Sequence, residues 1–255
     1  MRAHYLRDTG KWIAERVPGS QAVLKRIYAI LPTTVHDHPA DFLKRYFDKS
    51  PQVRFIQIGA HDGIAGDPIR PNVLRNTAWS GILIEPNPWL FEQLKVNYQG
   101  REGLEFKRAA VSDSSGVLPL YIVDGRGKET TFPSWWSEIS SLDKNHLMRE
   151  LPAECHAYID EIEVPVVTVL EIMSETAARD IDLIAMDVEG HEPAILRHIL
   201  QSGIRPDVLV FEHKHMAESA LREVMTQFGR CGYRAKTYGR DTVFYRQRGE
   251  ARAAN

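Results

Sequence analysis

Five groups of polar residues in this sequence each stand at the end of an apolar run: Gln57 to Gly63, Glu85, Ser112 with Asp113, Asp187 to Glu192, and Glu212 with His213. Runs of this kind read as strands buried on both faces, so the polar groups fall where a strand opens into a cleft. Glu85, closing its strand, is an acid that can accept hydrogen bonds from both hydroxyls of a ribose, each charge-assisted bond contributing about 1.5–3 kcal/mol. In the loop Gly59-Ala60-His61-Asp62-Gly63 the glycines allow a tight turn and a close ligand approach that a Cβ would block. His213 and His191, each beside carboxylates at a strand end, are candidate general bases, with His213 ahead, His215 a weaker alternate and His61 assigned to the glycine loop. Asp187, Glu212 and His213 also form a candidate site for a divalent ion such as Mg²⁺ that would acidify a bound hydroxyl; an obligatory metal is not favoured. Asp187 and Glu189 otherwise line the cofactor or contact substrate, and Glu192 suits the N-terminus of its helix.

Positioning these groups requires alternating strands and helices. The strand before Gly59 is followed by a helix near Pro71, and the strand Gly81 to Glu85 by a helix that Asn87-Pro88 caps and starts. A third strand over about 104–111 completes β-α-β-α-β, the half-unit of a doubly wound parallel sheet. Val117 to Val123 reads as another strand. Residues 124 to about 163, with Trp135, Trp136 and His146, read as a long excursion of the kind that forms lids, where at least one tryptophan is a core residue. Order resumes at Val164 to Val169, then Asp182 to Val188 and Val208 to Phe211, and the chain closes with a hairpin, Tyr233 to Tyr238 and Thr242 to Arg246. Ahead of this Rossmann-like domain of 53–248, residues 1–52 read as helical. Ser20 caps a helix bearing Val23, Ile27, Ile30 and Leu31, a second helix runs from Pro39 to Asp48, and 249–255 form a tail.

The glycine loop is neither G-x-G-x-x-G nor a triphosphate-binding G-x-x-x-x-G-K-[ST], which removes the main support for a dinucleotide-using nicotinamide oxidoreductase and for a triphosphate site. S-adenosylmethionine carries a ribose, an adenine and a sulfonium but no phosphate, and suits a ribose-binding acid with further carboxylates. The segments FIQIGAHDG (55–63), IEPNP (84–88), AAVSD (109–113) and IDLIAMDVEGHE (181–192) together resemble the FkbM family of S-adenosylmethionine-dependent methyltransferases over roughly residues 53–246. The resemblance implies a class I methyltransferase fold, mostly parallel with a C-terminal antiparallel hairpin strand, and O-methylation of a hydroxyl on a sugar, glycolipid, polysaccharide or secondary metabolite. It also implies that Gln57 and the loop Gly59, Ala60, His61, Asp62 and Gly63 hold the methionine moiety, Glu85 with Pro86 the ribose, and Ser112 with Asp113 the adenine edge. Gln57 stands where the family frequently has an acid, and Ala185 where it frequently has a lysine.

Over 255 residues the formal net charge is only −2, which gives no global attraction to nucleic acid or anionic membrane. Neither a signal peptide nor a membrane span is evident, and Cys155 and Cys231 lack metal or disulfide spacing, so a cytoplasmic protein is expected. Lys11, Arg16, Lys25 and Arg26 give the N-terminal helices a basic side, read first as a solvated face and otherwise as a contact for an anionic membrane or for a partner subunit in a homo-oligomer. The alternative to an enzyme is a non-catalytic cofactor-binding or assembly protein of a biosynthetic complex.

Overall fold

The computed structural model describes residues 38–64, 66–124, 136, 139–175 and 180–247. The expected Ser20 helix, its basic side and oligomer contact, Trp135 and the 249–255 tail lie outside the described residues.

A central sheet of seven strands carries the fold. In spatial order these are β3 (Leu104–Lys107), β2 (Trp79–Ile84), β1 (Val53–Ile58), β8 (Leu183–Met186), β9 (Val208–Glu212), β11 (Asp241–Tyr245) and β10 (Arg234–Tyr238). Every neighbouring pair is parallel except those made by β11, which runs antiparallel to both β9 and β10. This is the class I methyltransferase arrangement, with the order reversing between β1 and β8.

The apolar runs exist because both faces are covered. Along β1, Val53 and Phe55 pack on one side with Leu43 and Phe47 from α1 (Pro39–Tyr46) and its cap and with Leu94 from α3 (Pro88–Asn97). Ile56 and Ile58 point the other way, toward Ile172 from α5 (Val169–Glu175), Ile195 and Ile199 from α6 (Glu192–Gln201), and Phe228 from α7 (Glu218–Arg230). The short α2 (Arg70–Arg75) adds Val73 to the first side. Burial at this level contributes roughly 1.5–3 kcal/mol for each large aliphatic or aromatic side chain. Asn87 caps α3 as its sequence suggests, its side-chain oxygen accepting from the N–H groups of Trp89 and Leu90.

Two expectations need correction. The stretch over 104–111 is not one strand: β3 ends at Lys107, and β4 (Ala110–Ser112) leaves the main sheet to pair with β7 (Ile159–Thr168) in a second sheet. That sheet has four strands, β4-β7-β5-β6, with β5 (Gly116–Val123) antiparallel to β7 along its whole length and β6 (Ser140–Ser141) on its edge. The excursion also ends earlier than expected, because β7 begins at Ile159. Within it, α4 (Lys144–Glu150) and a 3₁₀ turn (Ala153–Tyr158) enclose a small core of Val123, Trp136, Leu147, Leu151 and Cys155. Cys155 and Cys231 are free thiols. Among the described residues no helix is long and apolar enough to cross a membrane.

Candidate functional site

The loop after β1 is fixed by backbone bonds and by one acid. Gly59 and Ala60 both donate to the carbonyl of Ile84, at 2.9 Å each, which ties the loop to the end of β2. Gly59 has φ +70°, and a Cβ there would lie 1.8 Å from the Asp187 carbonyl oxygen, so the loop rests directly on the end of β8. His61 also takes a left-handed backbone, φ 54°, and donates its N–H to Glu85 Oε2 at 2.8 Å, while Asn87 donates to Glu85 Oε1 at 2.9 Å. Glu85 is only 3% exposed; burial pushes its carboxyl up, and the Asn87 and His61 N–H groups pull it partly back. Asp62 accepts from Ile64 N–H and pairs with the His61 ring, and Gly63 accepts from Arg70. Ala60 is buried and Pro86 half-buried beside them.

Two features fit S-adenosylmethionine in this cradle. A carboxylate offers about four acceptor positions, and the N–H groups take one on each oxygen of Glu85, leaving capacity for ribose hydroxyls. Gln57 Oε1 is buried without a hydrogen-bond partner, an acceptor suited to an ammonium donor. The amide of Gln57 is itself bonded to Asp67, whose carboxylate also accepts from Ile69, Arg70 and Tyr98. An acid therefore lies one side chain beyond position 57; burial pushes the Asp67 carboxyl up, and the bonds from Arg70, Ile69, Tyr98 and Gln57 pull it partly back.

At the end of β4, buried Ser112 is held by His191, Oγ to Nε2 2.8 Å, and lies 3.3 Å from Asp113 Oδ1. His191 is thus joined to the Ser112–Asp113 corner; its pKa is lowered, chiefly by burial.

The loops after β8 and β9 form the opposite wall. Asp187 keeps an open face to solvent, yet crowding by protein atoms and then the charges of Glu212, Glu189, Glu192 and Asp241 push its carboxyl well above the usual aspartate range. Burial, then Glu189, raises Glu212 to about 7. Glu189 goes the other way: burial opposes ionisation, but the His146 bond and the charges of His215, His146 and Lys214 leave it below the usual range. Glu192 opens α6 and accepts from Val188 N–H at 3.0 Å, the helix-start role its position suggests. His213 donates its backbone N–H to Arg240 and engages Thr242 Oγ1 through Nδ1 at 3.0 Å; burial lowers its pKa, favouring the neutral imidazole.

The candidate metal trio Asp187, Glu212 and His213 is not the group that converges. His213 is turned to Thr242, and among the described residues the donor atoms within 4.8 Å of one another belong to His146, Glu189 and His215. His146 had no site role in the sequence reading, since a single histidine inside the helix KNHLMRE has no ligand spacing to reveal it. Only the return of the excursion beside β8, where Ser141 Oγ donates to the Glu189 carbonyl at 3.2 Å, brings it in.

The sequence profile described as the methyltransferase FkbM domain matches residues 57–235. No curated protein matches the chain in sequence. Among solved structures, the METTL16 methyltransferase domain is similar at 12% identity and TM-score 0.45, with 81% of this chain and 64% of that one covered. The chain therefore spans less than two thirds of that domain. A human methyltransferase 10 domain containing protein is similar at 10% identity and TM-score 0.41, covering 81% and 80%. An S-adenosylmethionine-dependent O-methyltransferase from Thermotoga maritima is similar at 8% identity and TM-score 0.41, covering 81% and 64%.

Proposed function

We propose that the chain, which belongs to the methyltransferase FkbM domain family, uses S-adenosylmethionine to methylate a hydroxyl oxygen of a small molecule or glycan. Sugars, glycolipids, polysaccharides and secondary metabolites are the acceptor classes in view. One observation carries the reading: the Gly59 loop lies against the Asp187 carbonyl, so a glycine-lined cofactor cradle directly adjoins a wall of histidines and carboxylates.

When bound, S-adenosylmethionine supplies a methyl group on a sulfonium. Gln57, the Gly59–Gly63 loop and Glu85 would hold it, with Ser112 and Asp113 at the adenine edge. An alcohol must lose a proton as its oxygen attacks, and a positioned base is worth about 10²–10⁴-fold. His213, kept neutral by burial and oriented through Nδ1 by Thr242, fits that task, and His191 is the second candidate. Asp187 and Glu189 fit hydrogen bonding to the acceptor. Orientation supplies more than the base does, since well-placed reactants reach effective molarities of ~10⁵–10⁸ M. The small net charge supports a neutral acceptor over nucleic acid.

The test is transfer of a labelled methyl group into glycan, lipid and small-molecule fractions of the source cells, followed by identification of the labelled bond. An O-methyl product is expected. Label found on nitrogen or carbon would overturn the reading, as would the lack of any labelled product from protein that S-adenosylmethionine stabilises thermally.

A further inference from the structure

We propose that His146, Glu189 and His215, with Glu212 beside them, form a binding site for a divalent transition-metal ion such as Zn²⁺ at the carboxyl ends of β8 and β9. The donor spacing is that of ligands around a common centre. His146 Nε2 lies 3.3 Å from Glu189 Oε2; His215 Nε2 lies 3.4 Å from the same oxygen and 3.5 Å from Glu212 Oε2. Metal bonds of about 2.0–2.2 Å to nitrogen and oxygen put neighbouring ligands of a tetrahedron about 3.3–3.6 Å apart.

An independent observation separates this arrangement from an ordinary hydrogen-bonded cluster. The His215 side chain is only 7% exposed, and its buried Nε2 makes no hydrogen bond although two carboxylates lie within ion-pair distance. The nitrogen is aimed into the group and along neither oxygen. A buried ring nitrogen left in that state costs about 1–3 kcal/mol, and a cation shared with the carboxylates removes the cost.

The surroundings orient the donors. The other ring nitrogen of His215, Nδ1, lies 3.4 Å from Glu150 Oε1, and Glu150 is paired with Lys214. A carboxylate behind a ligating histidine fixes its tautomer and direction. Glu189 itself has a left-handed backbone, φ 49°, followed by Gly190 at φ 97°, and Ser141 bonds its carbonyl. Strain of this kind, about 1–3 kcal/mol at a non-glycine residue, persists where the surroundings hold a side chain in a required direction. The His146 and His215 rings meet edge to face with centroids 4.5 Å apart, which sets their relative orientation. Two imidazoles favour zinc, copper, iron or nickel over magnesium, which prefers oxygen alone. On the O-methylation reading, from which this role derives, the ion would hold the acceptor oxygen and lower its pKa; the site itself does not depend on that reading.

The test therefore uses no S-adenosylmethionine and no acceptor. The full chain, stripped by chelator and dialysed, is titrated with Co²⁺ and with Zn²⁺, with uptake followed by elemental analysis and by the visible d–d bands of tetrahedral cobalt. One equivalent is expected. His215→Ala and Glu189→Gln should each weaken uptake by more than ~100-fold, since losing even an outer partner of a ligand costs ~10–100-fold, the range expected for Glu150→Gln. Glu189→Gln keeps the side chain's size, so it remains informative if His215→Ala fails to fold. Absence of stoichiometric uptake by the unaltered chain, or uptake that Glu189→Gln leaves unchanged, would overturn the proposal.

Discussion

Replacing Glu85 with glutamine tests whether this acid organises the cofactor cradle before any ligand arrives. Its two oxygens accept from His61 N–H at 2.8 Å and Asn87 N–H at 2.9 Å, one donor from each of the loops after β1 and β2. An amide can accept from only one of them; its NH₂ then faces the other N–H, which becomes a buried donor without a partner. That group costs about 1–3 kcal/mol, and the retained bond loses the charge assistance that doubles a neutral one. Against this, glutamine escapes the burial that pushes Glu85 up. A net loss of about 2–3 kcal/mol follows, or a fall of about 4–12 °C in Tm for a domain of this size. Urea unfolding without S-adenosylmethionine measures it, and the thermal shift on adding S-adenosylmethionine then reports the ribose contact separately. A Glu85→Gln midpoint equal to that of the unaltered protein would show that the two N–H bonds do not hold the loops, and the argument for a preformed cradle would fail.

Further predictions follow from the same geometry. Gly59→Ala combines a left-handed backbone, which costs about 1–2 kcal/mol, with overpacking against the Asp187 carbonyl worth about 1–3 more; a loss of about 2–5 kcal/mol is expected in urea unfolding, and a near-neutral effect would refute the close loop-to-β8 contact. His213→Ala should keep the S-adenosylmethionine thermal shift while slowing methyl transfer by about 10²–10⁴-fold; undiminished turnover would remove His213 from the mechanism. Asp241 has its pKa raised by burial from 3.8 to about 6, so the folded state holds a proton that the unfolded state releases across that window. Its contribution therefore falls as pH rises through that range, and Asp241→Asn should gain stability relative to the unaltered protein, on the order of 1 kcal/mol after allowing for partial exposure. A stability difference that does not change with pH would show that Asp241 titrates normally.

The strands that carry the site were legible because parallel strands covered on both faces read as near-continuous apolar runs, as in all of β8, in β9 up to Glu212 and in β1 apart from Arg54 and Gln57. Asn87-Pro88 announced its helix through local chemistry alone. The break at Arg108–Ala109 was not legible, since Leu104 and Phe106 before it and Ala110 and Val111 after it all suit a strand and only the partner changes, from β2 to β7. The start of β7 was hidden for the opposite reason. Ile159-Asp160-Glu161-Ile162-Glu163 has its two apolar residues three positions apart, so no two-residue alternation marks it as a strand, and its three acids resemble a loop in one dimension. The strand-end acids and His213 could be nominated from position, whereas His146 and Glu150 depend on where the excursion returns, a tertiary fact without a local signature.

The antiparallel strand of the central sheet has a consequence for how the chain reaches this structure. β11 lies inside the sheet, between β9 and β10, although it is the last strand in sequence among the described residues. Until residues 241–245 have left the ribosome, the outer edge of Val208–Phe211 has no pairing partner, and it is an apolar edge of the kind that recruits strands from other chains. The pairing of β1 with β8 already joins Phe55 to Leu183 across a long intervening segment, which slows folding. A nascent chain halted at Gly239 would thus expose an aggregation-prone edge, and Thr242, the residue that orients His213, arrives only with the strand that closes it.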